Sequence, residues 1–191
     1  IPSQVNFVGK GANLFEHGYK LHGSYAVILN YLRTTWLWEK VRVQGGAYGG
    51  LCLFNHRSGV LTFLSYRDPN LIATLNIYDQ TGQFLHRLDS SRLSQEELTR
   101  SIIGAIGDLD TYQLPDAKGY TSLTRYLTGE TDAQRQQRRE EILSTRREDF
   151  SAFGEILDRL RQAGNIVVIG PESALLAACS QGLSVDLEKV L

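Results

Sequence analysis

The 191-residue sequence predicts an α+β fold, with helices packed against one mainly antiparallel sheet. Three observations support this. Helical patterns outnumber strand patterns. Two apolar runs, 51–54 and 60–66, are separated only by Asn55-His56-Arg57-Ser58-Gly59, the mark of an antiparallel hairpin. The regular strand–helix alternation of a doubly wound parallel sheet is missing.

Taken in order, residues 4–8 read as a short strand ending at Gly9 and Gly11. A Gly- and His-containing loop runs to Gly23. Ser24 can then cap a long helix to about Val41, with Val27, Ile28, Tyr31, Leu32 and Leu37 on its apolar face. After the hairpin, Asp68-Pro69-Asn70 starts a helix with Pro near its first position. Its buried stripe is Leu71, Leu75, Tyr78, Leu85 and Leu88. Ser94 and Glu97 have the spacing of a capping box, and Leu98, Ile102 and Ile106 face inward. Residues 108–119 read as irregular, with a short helix over 120–127 and a polar helix over 132–143. Thr145 and Glu148 repeat the capping-box spacing ahead of Phe150, Phe153, Leu157 and Leu160, an amphipathic pattern stopped by Gly164. A buried strand over 165–170, a helix over 171–180 and an edge strand over 183–190 complete the chain, which reads as a single domain over 1–191.

Hydrophobic residues make up 42% and charged residues 21%, as in ordinary globular proteins. A chain this long buries about 70% of its unfolded surface, so it needs neither disulfides nor a structural metal. Net charge is -1, which excludes the broad basic footprint of nucleic-acid binding. Arg135, Arg138, Arg139, Arg146 and Arg147 alternate with acidic residues and read as a solvated helix face supported by i,i+4 pairs. Cys52 and Cys179 read as buried free thiols of a reducing compartment. No apolar run reaches the roughly 18 residues of a membrane span. The start at Ile1 and the lack of methionine read as those of a piece of something longer.

Catalytic motifs are scarce. A zinc site needs three or four converging ligands. His17, His22, His56 and His86 fall in no H-E-x-x-H, H-x-x-E-H or H-x-H spacing, and no C-x-x-C or G-x-S-x-G occurs. Asp108 and Asp110 read as satisfied loop carboxylates. The cluster Gly45-Gly46-Ala47-Tyr48-Gly49-Gly50 is no phosphate cradle. It follows a helix and precedes a strand, whereas a cradle needs a helix N-terminus.

One constellation has usable chemistry. Arg42 ends the helix and Tyr48 opens the next strand, with Gly45 and Gly46 between them to turn the chain. A guanidinium and a phenol aimed at one spot are both hydrogen-bond donors. They suit a peptide carbonyl that becomes an oxyanion. A purely structural pair is the alternative: Arg favours helix C-termini, and Tyr in a strand is ordinary core.

Residues 31–50 (YLRTTWLWEKVRVQGGAYGG) closely resemble the presequence proteases. These form a branch of the pitrilysin family of zinc metalloproteases, to which insulin-degrading enzyme also belongs. QVNFVG (4–9), GYKLHG (18–23), LSYRDP (64–69), YQLPDAKGY (112–120) and RREEILST (138–145) resemble the same branch in collinear order. The resemblance implies the last of about four related domains in a two-bowl enzyme that closes around unfolded peptides. The zinc, held by H-x-x-E-H in the N-terminal half, would be a cofactor of the parent and absent from this chain. Arg42 and Tyr48 would reach across to the substrate to stabilise the oxyanion, and Gly45 and Gly46 would line the same substrate-binding turn. The implied partners are peptide substrates and the N-terminal catalytic half of the same polypeptide. The implied locations are the bacterial cytoplasm, the mitochondrial matrix or the chloroplast stroma. The competing expectation is a non-catalytic peptide-binding or scaffold module of a pseudo-peptidase.

Overall fold

A computed structural model describes residues 4–89 and 91–188. One four-stranded sheet runs in the order β2-β3-β1-β4, with β1 at Asn6–Asn13, β2 at Gly49–Phe54, β3 at Val60–Asp68 and β4 at Asn165–Ile169. Each neighbouring pair is antiparallel. The described helices are α1 (Ser24–Thr34), a π-helical segment (Trp38–Gln44), α2 (Leu71–Asp79), α3 (Thr81–His86), α4 (Gln95–Leu109), α5 (Pro115–Thr128), α6 (Asp132–Leu143), α7 (Arg147–Ala163) and α8 (Glu172–Ser180). The α+β class and the β2–β3 hairpin are as the sequence predicts.

Several local expectations are corrected. β1 continues through Gly9 and Gly11 to Asn13, because a ladder on both sides holds the glycines extended. The helix predicted from Ser24 to Val41 breaks at Thr35. The Thr34 and Thr35 hydroxyls both donate back to the Tyr31 carbonyl, a back-bonding that bends helices, and the chain resumes as the π-helical segment. Gly23, not Ser24, is the cap residue, and the Ser24 hydroxyl is 2.8 Å from His22 Nδ1. Asn70 caps α2, so Pro69 precedes the helix, and a break at Gln80 separates α2 from α3. Residues 115–119 are helical, with Pro115 opening α5. Thr145 is buried and donates to the Glu141 carbonyl. The residue before α7 is Arg146, whose backbone N–H is taken by the Asp149 carboxylate at 2.7 Å. Gly164 is extended, not left-handed. β4 is a half-exposed edge strand. Residues 183–188 carry no strand, and the rest of that predicted strand lies outside the described residues. Cys52 is buried and Cys179 half-buried, both free.

The helices cover one face of the sheet. Val8, Ala12, Cys52, Leu61 and Phe63 point into this layer and are buried with Val27, Ile28 and Leu32 of α1, Leu75 and Tyr78 of α2, and Phe150 and Leu157 of α7. Lys10 also points inward, from the central strand, and is 4% exposed. Its ammonium meets Asp79 Oδ1 at 2.5 Å and donates to the Arg161 carbonyl at 3.0 Å. One cation thus ties the sheet to α2 and to the negative end of α7.

The other face stays open. Cross-strand pairing puts Leu51, Leu64, Gly9 and Val167 in one row, and Phe7 beside Ile169 in the next. Phe7, Leu51, Leu53, Val167 and Ile169 remain exposed there, Val167 at 68%. Gly9 and Gly11 leave the central strand bare between them. A second apolar surface lies on α5, which buries none of its residues and leaves Tyr120, Leu123, Tyr126 and Leu127 exposed.

Removing a buried ion's partner typically costs about 3 kcal/mol. Lys10→Ala is therefore expected to lower stability by about that amount, read from the urea midpoint. A loss below about 1 kcal/mol would contradict the role of Lys10 as a tie. Apolar faces of this size seek partners. The isolated chain is expected to self-associate with rising concentration in sedimentation velocity, and a monomer throughout would contradict that.

Candidate functional site

The site forms where the π-helical segment, the Gly45–Gly46 turn and the end of β3 meet. π-helical turns widen the backbone and recur at functional sites. Here the segment carries Arg42 beneath its own last turn. The Arg42 guanidinium carbon lies 4.1 Å from the Trp38 ring centre, four residues earlier, and 5.9 Å from the Tyr48 ring centre. The turn is closed by three bonds. Gly46 N–H donates to the Arg42 carbonyl at 3.0 Å, Ala47 N–H to the Val41 carbonyl at 3.1 Å, and the Asn70 side-chain amide to the Gly45 carbonyl.

Two glycines are required by geometry. Gly46 has φ of 74°, a left-handed conformation that costs other residues. A side chain on Gly49 would sit 2.4 Å from the Tyr66 ring. With that position empty, Tyr48 and Tyr66 lie with ring centres 5.3 Å apart. Tyr48 N–H also donates to the Tyr66 carbonyl at 3.1 Å, which starts the β2–β3 ladder.

The structure therefore brings Arg42 and Tyr48 together on one exposed edge, with Gly45 and Gly46 forming the turn between them. Tyr48 is 58% exposed. The Arg42 guanidinium has no carboxylate partner among the described residues. Sequence reasoning missed three neighbours: Trp38, Tyr66 and Arg67, whose guanidinium carbon is 5.6 Å from the Tyr48 ring centre. The i,i+4 spacing of Trp38 and Arg42 was a signal for the first, and the LSYRDP stretch for the other two.

Beneath the edge is a buried carboxylate. Asp68 is fully buried. It accepts hydrogen bonds from Ser65 Oγ at 2.6 Å, Thr74 Oγ1 at 2.7 Å and the Asn70 N–H at 2.8 Å. Its backbone carbonyl accepts from Asn6 Nδ2 at 2.9 Å. These bonds join β1, β3 and α2 directly under the Tyr48–Tyr66 pair.

Three of the four histidines are engaged elsewhere. His22 faces Ser24, and His86 lies between Ser151 Oγ and Asp158 Oδ2 at 3.1 and 3.0 Å. His56 borders a cleft of about 590 Å³ with Arg57, Glu130 and Arg138. Burial, then the positive charge of Arg138, push its pKa down. Glu130 would be raised by burial, but hydrogen bonds from Arg138 and Arg57 hold it below the ordinary carboxylate range. The basic cluster is not laced by i,i+4 pairs: Arg138 bonds Glu130, Arg139 bonds Asp110 and Arg135 bonds Asp132. Asp108 pairs with Arg33.

Residues 1–172 match the family model of the PreP C-terminal domain. The chain is 54% identical over 178 residues to presequence protease 1 of Arabidopsis thaliana, a chloroplastic/mitochondrial protein, covering 93% of this chain and 16% of that one. It is 34% identical over 171 residues to protein HypA of Clostridium perfringens, covering 90% and 17%. The chain thus spans about a sixth of the length of these relatives. In fold it resembles a candidate zinc protease from Bordetella pertussis Tohama I, with TM-score 0.61, 16% identity and coverage of 87% of this chain and 94% of that one. It also resembles the inactive peptidase domain of a candidate zinc protease from Bordetella parapertussis, with TM-score 0.58, 16% identity and coverage of 87% and 91%.

The residues present do not fit the zinc that these names imply. Among the described residues no three His, Cys, Asp or Glu side chains converge to hold a metal.

Gly46→Ala is expected to destabilise the chain by about 1–2 kcal/mol through its left-handed φ, read from the denaturant midpoint. A stabilising or neutral result would contradict the required turn geometry. By its sequence, this chain belongs to the PreP C-terminal domain family of the presequence proteases.

Proposed function

We propose that this domain forms one wall of a peptide-degrading chamber and lends Arg42 and Tyr48 to the substrate carbonyl of a zinc metalloendopeptidase. The zinc and the general base would reside elsewhere in the same polypeptide. The observation that carries this reading is the convergence of two donors on the edge of an open apolar sheet face: the Arg42 guanidinium, with no acidic partner among the described residues, and the exposed phenol of Tyr48, just ahead of β2. A guanidinium without a carboxylate partner remains available to a developing negative charge. The phenol beside it supplies a second donor. Unfolded peptides have scattered apolar side chains, and the exposed row of Phe7, Leu51, Leu53, Val167 and Ile169 gives those side chains a surface. The bare backbone at Gly9 and Gly11 keeps the middle of that surface shallow.

On this reading the chemistry is divided. The attacking water is activated in another domain, while Arg42 and Tyr48 stabilise charge on the carbonyl oxygen. They act only after the domains close, so cleavage is coupled to enclosure of the peptide and exclusion of bulk water. The exposed apolar side of α5 would then be a contact with neighbouring domains. Among the described residues no helix is long and apolar enough to cross a membrane. A matrix, stroma or bacterial cytoplasm is the matching setting, given the chloroplastic/mitochondrial label of the Arabidopsis relative.

A second reading is favoured by one observation: a structural neighbour is described as an inactive peptidase domain. In that case the domain would belong to a pseudo-peptidase and hold peptides without cutting them. An H-x-x-E-H motif elsewhere in the full-length polypeptide would discriminate between the two.

Loss of one oxyanion donor costs about 10²–10³ in rate. In the full-length polypeptide, Arg42→Ala and Tyr48→Phe are each expected to lower kcat on a fluorogenic peptide by a factor of about that order, with zinc content unchanged. Near-normal turnover in both variants would overturn the assignment.

A further inference from the structure

Arg67 is the one non-glycine residue with positive φ among the described residues, at 50°. A bulky residue holds this conformation only when its surroundings over-determine it. The cause is a bulge. Asn6 pairs with Asp68 and Val8 with Ser65, so Tyr66 and Arg67 together oppose Phe7. Ser65 and Asp68 are both buried, and the two residues between them are both exposed. Bulges of this kind re-aim side chains next to functional sites. Below, Asp68 is held by Ser65, Thr74 and Asn70, which keeps the bulge in place.

The same arrangement leaves Arg67 unpaired. The carboxylate nearest in sequence, Asp68, is turned inward and fully engaged. Arg67 has no acidic partner among the described residues, a property it shares with Arg42 beside it. Its recorded neighbour is the Tyr48 ring, at 5.6 Å. The nearby helix end does not repel an anion strongly here, because the Val41, Arg42 and Gly45 carbonyls are already hydrogen-bonded. A glycine would hold this backbone without strain. The strained position instead presents a planar fork that matches a carboxylate in two-point geometry.

We propose that Arg67 is a substrate-binding residue that takes a carboxylate of the peptide, next to the carbonyl held by Arg42 and Tyr48. This rests on the reading that the Arg42–Tyr48 edge faces the substrate. The carboxylate can be an acidic side chain or the peptide's own C-terminus. Arg67 contributes affinity and selection among peptides, while the rate of bond cleavage is left to its two neighbours.

The test uses the full-length polypeptide and three fluorogenic peptides of otherwise identical sequence. One carries a single Glu and an amidated C-terminus. One carries Gln there and a free C-terminus. One has neither carboxylate. Arg67→Gln is expected to raise KM about tenfold, the scale of one charge-assisted hydrogen bond, for at least one carboxylate-bearing peptide. The peptide that responds identifies the source of the carboxylate. kcat should change far less than KM, and the third peptide should be affected far less than the carboxylate-bearing one. Arg67→Gly should behave the same way while relieving the backbone, which keeps the test valid if the Gln variant folds poorly. An equal change on all three peptides would mean that Arg67 only orders Tyr48, and would overturn the proposal, as would no change on any. If Arg42→Ala cleaves normally while Arg67→Gln still discriminates by carboxylate, the oxyanion role fails and this subsite stands. The opposite pattern removes the subsite alone.

Discussion

The buried carboxylate of Asp68 is the constraint on which the rest of the site depends. Among the described residues it has no cation partner, and it is held by three donors: a hydroxyl from its own strand, a hydroxyl from α2 and a backbone N–H at the start of α2. A buried carboxylate that lost them would be left uncompensated, at a cost of several kcal/mol. The bonds therefore hold together. Because they do, β3 must bulge at Tyr66 and Arg67, α2 must start at Leu71, and Asn70 must stand where it can bind the Gly45 carbonyl. One corner of the chain fixes both the strand that carries Tyr66 and Arg67 and the turn that joins Arg42 to Tyr48.

The sheet divides the remaining roles between its faces. The inner face meets α1, α2 and α7 and is anchored at its centre by Lys10, whose charge is met by Asp79 and by the end of α7. The outer face keeps apolar side chains in water, together with two glycines in the central strand. Stability alone would favour polar residues there. On the proposed reading, an exposed apolar surface beside guanidinium groups that have no acidic partner among the described residues suits a ligand that is partly apolar and rich in carbonyls, and an extended peptide is both. The family places the chain among presequence proteases, and the proposed role of Arg42 and Tyr48 is what this one domain would add to such an enzyme.

Much of this was legible in the residues. Ser94 and Glu97 make the capping box their spacing announces, and Phe150, Phe153, Leu157 and Leu160 are buried as their rhythm requires. Arg42 and Tyr48 could be paired because Gly45 and Gly46 let the chain turn sharply between them. Most of what escaped depends on contacts remote in sequence. Glycine normally weakens strands, yet Gly9 and Gly11 stay in β1 because ladders on both sides compensate. The break at Thr35 arises from hydroxyls bonding backward, which an apolar periodicity does not register. The bulge at Arg67 is set by the register with β1, sixty residues away, and by the inward pull of Asp68. Neither shows in strand periodicity, and Arg67 fell just past the strand read over 60–66, inside the LSYRDP stretch.

The most direct measurement is a crystal structure of the full-length polypeptide closed around a phosphinic peptide, whose tetrahedral phosphorus mimics the carbonyl under attack. The Arg42 guanidinium and the Tyr48 hydroxyl should lie about 3 Å from one phosphinic oxygen, with the outer sheet face lining the chamber. A closed complex in which both side chains face bulk solvent, with the ligand bound elsewhere, would contradict the division of chemistry between domains.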